Sequence, residues 1–445
     1  MKSHRILVNG GGLVGSLLSI LLKKRGYDVT VIERRPDMRK TPIQAGRSIN
    51  LALSDRGLKA LASAGLLDEV KPYLIPMYGR MIHDLHGNLS FQRYGNDNQW
   101  INSVGRGVLN KLLLQKAEDL GVELIFNTRI CKIEPEKKEI YSDTGETFRF
   151  DKLLACDGAF SVVRLHMVSM DRFNYSQTYL DHGYCEIHMM PADNGNWKME
   201  PHALHIWPRK SFMLIALPNP DGSFTCTLFL PFQGKFSFDS ISHPKDAETF
   251  VQKWFADIIP WIPDYADQFA NNVRSSLMTV RCSPWYWGSN ILLLGDAAHA
   301  IVPFYGQGMN AGFEDARIFC EWVDKYGGID SDNLLADFAT FRQPDGHAIA
   351  DLALKNFIEM RDLTADKNFI LRKKIEAWFA SRHPDRWIPQ YSLVSFSHVP
   401  YSEALKIGTQ HDMIMEKVMS LAVNTETQTW EEELAEKIIL EELNK

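Results

Sequence analysis

Arg5-Ile6-Leu7-Val8-Asn9-Gly10-Gly11-Gly12-Leu13-Val14-Gly15 decides the fold of this chain. Residues 5–9 read as a strand, and the glycines follow at once. Residues 17–22 continue as an apolar helix that Gly26 ends, and residues 28–32 read as the next strand, with Glu33 at its tip. Gly10-x-Gly12-x-x-Gly15 thus stands in a strand–turn–helix–strand context, and Glu33 comes 18 positions after Gly15 (33 − 15). In this arrangement the glycines let a pyrophosphate approach the helix N-terminus, and the acidic residue meets a ribose diol.

A second stretch, residues 290–315, repeats the strand–loop–helix logic near the other end. Residues 291–294 are apolar, Gly295-Asp296 ends the strand with a carboxylate, and Gly306-Gln307-Gly308 opens a helix of small residues. Free N–H groups and the positive dipole end suit an electron-rich ring that becomes anionic. A polar sugar chain would bind at Asp296 and the ring at Gly306 to Asn310. The pair of sites points to a flavin dinucleotide.

Between these ends the elements alternate in kind. We expect an extended segment over 47–53, helices over 54–64, 106–120 and 247–255, and strands over 122–126, 130–134, 139–141 and 152–155. Short strands are expected within 80–94, around the turn signal Asp84-Leu85-His86-Gly87-Asn88. Residues 184–190, 203–207, 212–217 and 224–230 read as successive strands without helices, hence a mixed or antiparallel sheet. Beyond about 345 the chain reads as helical apart from 384–400, and residues 431–445 form an acidic amphipathic helix. The expected fold class is α/β. A Rossmann-like domain (1–70, 100–175 and 275–345) is interleaved with a sheet domain (71–99 and 176–274), and a C-terminal helical region (346–445) follows.

Composition narrows the function. The 445 residues carry a formal net charge of −6 and no basic patch with interleaved aromatics, so no nucleic-acid partner is expected. Six scattered cysteines without a Cys-x-x-Cys pair fit a reducing compartment. His83-x-x-His86 lacks flanking ligands, and no metal is expected there. Neither a signal peptide nor a membrane-spanning run is expected, which gives a cytoplasmic protein without a membrane anchor. No feature assigns an oligomeric state.

A third element, Leu153-Leu154-Ala155-Cys156-Asp157-Gly158 running to Arg164, completes a set of three. In order and spacing the set resembles that of the FAD-dependent aromatic-ring (class A) flavoprotein monooxygenases, although Ala155-Cys156 replaces the usual Gly-Ala. Other segments look like the kynurenine 3-monooxygenase family: residues 46–53, Gly79-Arg80-Met81, residues 201–208, Leu217-Pro218-Asn219, residues 302–310 and Ile388-Pro389-Gln390-Tyr391-Ser392. The resemblance implies a bacterial-type form without the C-terminal anchor of eukaryotic members. It implies FAD held by Gly10, Gly12, Leu13, Gly15, Glu33, Arg34, Arg106, Asp157, Asp296, Gly306, Gly308, Met309 and Asn310. It implies NADPH and O2 as co-substrates and L-kynurenine hydroxylated to 3-hydroxy-L-kynurenine through a flavin C4a-hydroperoxide. The cofactor carries the chemistry, so no catalytic side chain is named.

The same resemblance assigns the substrate carboxylate to Arg80 and Tyr94, with Asn356 and Tyr391 completing the pocket. A guanidinium fork suits a carboxylate, and tyrosines bring hydroxyls on rigid rings. Phe304 and Tyr305 precede the Gly306 helix start, and Ile215, Leu217 and Phe229 alternate inward to wall the ring. Taken singly, Arg80 reads as a surface arginine, Tyr94 and Tyr391 as core or loop tyrosines, and Asn356 as a solvated residue of the helical run 348–361. Glu359 reads as half of a helix salt bridge. Two other functions stay open on the residues alone: hydroxylation of another aromatic acid, and a flavin-binding reductase without oxygen chemistry.

Overall fold

The computed structural model describes residues 4–40, 50–95, 98–241, 243–360 and 366–445. The expected extended positions 47–49, the motif positions 46–49 and residue 361 lie outside these. The strands Arg5–Asn9, Asp28–Ile32, Glu123–Ile125, Lys152–Ala155 and Ile291–Leu293 pair in parallel, with Tyr286–Trp287 added antiparallel at one edge. The central strands are apolar because helices cover both faces, which is what parallel sheets require. Leu13–Lys23 and Gly308–Lys325 are among those helices, and their buried faces join one core with Ile6, Val8, Leu153 and Leu292.

A seven-stranded mixed sheet stands beside this unit. Gly79–His83 pairs in parallel with Ala203–Pro208, and the other neighbours are antiparallel. Its two faces separate by residue parity. Leu214, Ala216, Phe224, Cys226 and Leu228 pack against the helices Pro244–Trp254 and Tyr265–Asn271. Met213, Ile215, Leu217, Thr227 and Phe229 face the other way, into a cavity. The fold is therefore a Rossmann-like α/β unit interleaved with a mixed sheet, followed by a helical C-terminal region.

Four local expectations are corrected. The strand expected over 184–190 runs Asn174–Met189, and its first half pairs with Arg274–Ser283, which the sequence did not suggest. The first half of Asn174–Met189 alternates exposed and part-buried residues, and Arg274–Ser283 breaks its buried positions Leu277, Thr279, Val280 and Cys282 with part-buried ones, so neither carries a long apolar run. Asp296 does not end the strand: Ile291–Leu293 stops before it, and Asp296–His299 makes one helical turn. Within 384–400, Gln390–Ser395 is a helix, started by Pro389, which cannot donate a backbone hydrogen bond. The C-terminal helix Glu432–Leu443 is preceded by a two-stranded ribbon, Val423–Asn424 with Thr429–Trp430.

His83 is buried, and its Nε2 lies 2.8 Å from His205 Nδ1 while its Nδ1 lies 3.2 Å from Asp257 Oδ2. His86 sits in the exposed turn, where its backbone N–H donates to Asp84. His205 Nε2 donates to the Glu200 carbonyl, so its Nδ1 is the acceptor. Burial, above all, holds the His205 pKa down to about 4. An unfolded histidine titrates near ~6.5. Between those values the unfolded chain takes up a proton that the native site refuses. This contribution to stability is therefore complete above roughly pH 6.5 and is lost as pH falls toward 4. Thermal melts should show a lower Tm near pH 5 than near pH 7, and the drop should shrink in His205→Gln. An equal drop in both proteins would remove His205 from the effect.

Candidate functional site

The site is assembled where the two sheets meet. A cavity of about 310 Å³ is lined by Gly12, Leu13 and Arg106 on the nucleotide side, and by Asp296, Gly306, Gly308 and Met309 from the second strand–helix unit. Arg80, Tyr94, Ile215, Leu217, Phe229, Phe304, Tyr305 and Tyr391 line the same cavity. These expected residues thus line one continuous space, whereas Gly10, Gly15, Glu33, Arg34, Asp157, Asn310 and Asn356 are not in its lining.

The glycine turn explains the first wall. A Cβ on Gly15 would stand 2.0 Å from the Gly10 carbonyl oxygen, so the helix Leu13–Lys23 can seat on the turn only with glycine there. At Gly12 a Cβ would meet nothing within 4 Å, which leaves open space at a helix N-terminus. Glu33 Oε2 accepts from Gly11 N at 2.8 Å, at the end of the adjacent strand. Asp296 is the exposed residue in an otherwise buried run, and Gly295 before it has φ 58°. The helix Gly308–Lys325 starts at the cavity wall, where Gly308 and Met309 line it, and the first N–H groups of a helix have no intrahelical partners. An open turn, two carboxylates placed for hydroxyls and a free helix N-terminus fit the ribose, ribityl and ring portions of FAD.

Three expected residues have side chains that bond to the protein itself. Asp157 Oδ2 accepts from Asn9 Nδ2 and Val162 N, joining two strands to a helix start; Oδ1 is buried without a protein partner. Burial raises its pKa. The Asn310 side chain accepts from Ser54 N at 3.0 Å and donates to the carbonyls of Ala52 and Gly306, both at 2.8 Å. It fixes the helix start, and only its backbone can serve a ligand. Asn356 Nδ2 donates to the Phe304 carbonyl at 2.7 Å, so it shapes the one-turn helix Pro303–Tyr305. Asn356 lines a second cavity, of about 760 Å³, rather than the first. Arg34 is exposed beyond Glu33, and Gly10 and Gly15 lie under the turn.

The substrate side is built on stacked rings. The Tyr94 and Tyr391 centroids are 5.4 Å apart at 13°, and Tyr391 and Tyr305 are 5.4 Å apart at 17°. The Arg80 guanidinium lies 4.8 Å from the Tyr391 centroid and 5.5 Å from that of Tyr94. Arg80 Nε is buried with no hydrogen-bond partner. A buried, unpaired donor on a cation is costly unless a ligand satisfies it. Burial raises the pKa of Tyr94 and of Tyr305, which keeps both hydroxyls protonated as donors. Phe304 stacks on Phe357 at 4.2 Å and touches Phe229 at 4.9 Å, forming an aromatic corner.

Arg80, Tyr94, Tyr305 and Tyr391 also border the second cavity, so these four side chains form the partition between the two spaces. Glu359 faces that second space, and among the described residues no salt bridge to it is found. Met77, Leu204, Met213, Thr227 and Met360 line the first cavity and were not anticipated. Parity with Ile215 and Phe229 was the available signal for Met213 and Thr227, and the one-turn spacing from Asn356 for Met360. Among the described residues, no helix is long and apolar enough to cross a membrane.

The model of a family described as FAD binding domain matches residues 3–353. The kynurenine 3-monooxygenase of Flavobacterium psychrophilum is 46% identical over 100% of this chain and 99% of its own length. That of Dictyostelium discoideum is 41% identical over 99% of this chain and 98% of its own. That of Sus scrofa is 44% identical over 90% of this chain and 85% of its own. Among solved structures, 2-methyl-3-hydroxypyridine-5-carboxylic acid oxygenase superposes with TM-score 0.68 at 22% identity, covering 82% of this chain and 94% of its own. PqsL of Pseudomonas aeruginosa, in complex with 2-aminobenzoylacetate, gives 0.67 at 19%, covering 81% and 97%. These last two share the fold. With relatives this similar from end to end and an FAD-binding domain over most of its length, the chain belongs to the kynurenine 3-monooxygenase family of FAD-dependent monooxygenases.

Proposed function

We propose that this protein hydroxylates L-kynurenine to 3-hydroxy-L-kynurenine, consuming NADPH and O2. The observation that carries the reading is the single cavity in which Arg80, with its unpartnered Nε, faces the same space as the Gly308 helix start. Bound FAD, reduced by NADPH, supplies the activated oxygen.

The chain's own residues then have four tasks. Arg80 takes the substrate carboxylate, and the Tyr94 and Tyr391 hydroxyls complete its hydrogen bonds. Asn356 donates from its amide nitrogen to the Phe304 carbonyl and so supports the pocket wall from the side of the second cavity. Phe229, Phe304, Ile215 and Leu217 clamp the ring and keep water from it. The backbone of Gly308 to Asn310 steadies negative charge on the reduced ring system, while Asp296, Glu33, Arg106 and the Gly10–Gly15 turn hold its ribityl and nucleotide parts. The substrate's ring amine already activates the adjacent carbon, so no side chain is needed as a base. A cytoplasmic location suits the six free cysteines.

The test is direct. Purified yellow protein given L-kynurenine and NADPH should form one 3-hydroxykynurenine per NADPH, and NADPH oxidation should slow sharply without kynurenine. Product from another aromatic acid but not from kynurenine would overturn the substrate. NADPH oxidation without oxygen incorporation would overturn the chemistry.

A further inference from the structure

Arg56 lies in the helix Asp55–Ser63 and is 1% exposed, an unusual place for an arginine. All five of its N–H donors have acceptors. Nη1 donates to both oxygens of Glu314, at 2.9 and 3.1 Å. Nε donates to the Val394 carbonyl at 3.0 Å, and Nη2 to the carbonyls of Leu393, at 3.4 Å, and Val399. The guanidinium also lies 4.0 Å from the centroid of the Tyr401 ring, whose hydroxyl donates to Gln307 Oε1 at 3.0 Å.

These bonds join two segments. Glu314 and Gln307 belong to the helix Gly308–Lys325 and its N-cap, which border the cofactor side of the cavity. Leu393 and Val394 belong to the helix Gln390–Ser395 that carries Tyr391, and Val399 to the segment after it, beyond Phe396, on the substrate side. Glu314 is held independently by Arg342 at 3.2 Å, so the ion pair does not need Arg56 alone. The Leu393 carbonyl also accepts from Ser397 Oγ, at 2.6 Å and within the same segment, so the tie to the rest of the protein rests chiefly on the Val394 and Val399 bonds.

We propose that Arg56 is a positioning residue: its carbonyl clamp on residues 393–399 sets where the Tyr391 ring stands relative to the helix that starts at Gly308. The proposal rests on the reading that Tyr391 contacts the substrate. A ring displaced by an ångström leaves FAD bound but holds the substrate ring badly, so activated oxygen escapes as peroxide.

Arg56→Lys separates the clamp from the charge, because an ammonium on a single stem can meet Glu314 but not three carbonyls as well. In this variant the kynurenine KM should rise about tenfold and peroxide per NADPH severalfold, with FAD affinity within about twofold of wild type. Hydrogen exchange of the amides of residues 392–399 should accelerate in the FAD-loaded protein without substrate. Glu314→Gln, which keeps the clamp, should leave KM and peroxide within about twofold. Wild-type KM, peroxide and exchange in Arg56→Lys would overturn the proposal, whatever happens to its Tm. Equal effects in Arg56→Lys and Glu314→Gln would overturn it too, because the ion pair and not the clamp would then matter. If Arg56→Lys does not accumulate, the apolar pair Arg56→Met with Glu314→Met should show the same KM and peroxide changes, and wild-type values there would refute the clamp. If the wild-type protein leaves kynurenine untouched, the functional reading fails while the exchange measurement still decides the clamp.

Discussion

Arg80→Ala is expected to raise the kynurenine KM about a hundredfold, ~2.7 kcal/mol, while the protein still purifies with FAD. Arg80 stands over the stacked pair Tyr94 and Tyr391, with Nε buried and unpartnered. A carboxylate arriving there meets charge-assisted donors in a place where water is scarce, and each such bond contributes ~1.5–3 kcal/mol. Removing the side chain deletes the fork and also leaves the substrate carboxylate facing the Tyr94 and Tyr391 rings without a cation. The loss should fall mainly on KM, because the carboxylate is held equally before and during oxygen transfer. Some loss of kcat is expected through looser placement of the ring. Arg80→Lys should lie between, since it restores charge but not the planar fork. Steady-state kinetics with the ratio of flavin to protein absorbance checks both parts. An unchanged KM would take Arg80 out of the substrate site, and loss of FAD would mean that it holds the fold or the cofactor instead.

How far the sequence foretold this site depends on which force placed each residue. The Gly10–Gly15 turn was legible because backbone sterics and a helix N-terminus act locally. Ile215 and Phe229 were legible because strand parity acts over two residues. The meeting of Arg80 with Tyr391 was not legible from spacing: the two come from opposite ends of the chain, and only likeness to a family put them together. Arg56 was hidden for a related reason. An arginine in the first turn of an amphipathic helix reads as exposed, and its acceptors are backbone carbonyls that no side-chain pattern reveals. Asp157 and Asn310 show a second use of such positions. Each lies within a nucleotide motif, and its side chain also ties strand and helix ends together, because motifs record the fold of a loop as well as its ligand. The strand Asn174–Met189 escaped because its outer half has no apolar face to report.

Gly15→Ala and Gly12→Ala should both lose FAD, for different reasons, and the difference tests the cofactor site. At Gly15 the new methyl group would stand 2.0 Å from the Gly10 carbonyl oxygen, 3.1 Å from Val8 Cγ1 and 3.2 Å from Cys156 Cβ. The turn cannot yield easily. Gly10 N donates to the Ile32 carbonyl at 2.8 Å, Cys156 N to that of Asn9 at 2.8 Å, and Gly10 itself has φ 110°. The helix Leu13–Lys23 must therefore shift away, at a cost of about 1–3 kcal/mol, the range for forced overpacking. The shift also carries its first N–H groups off the pyrophosphate position. Gly15→Ala should thus lower the Tm of the apoprotein and weaken FAD binding by more than about a hundredfold. At Gly12 a Cβ meets no protein atom within 4 Å, so the apoprotein should melt as wild type does. Its methyl group would occupy only the space reserved for the dinucleotide, and FAD affinity alone should fall. Flavin fluorescence titration of the two apoproteins, with thermal melts, separates the cases. Wild-type FAD affinity in Gly12→Ala would show that the open space over Gly12 is not where the pyrophosphate lies, and the cofactor would have to enter the cavity by another wall.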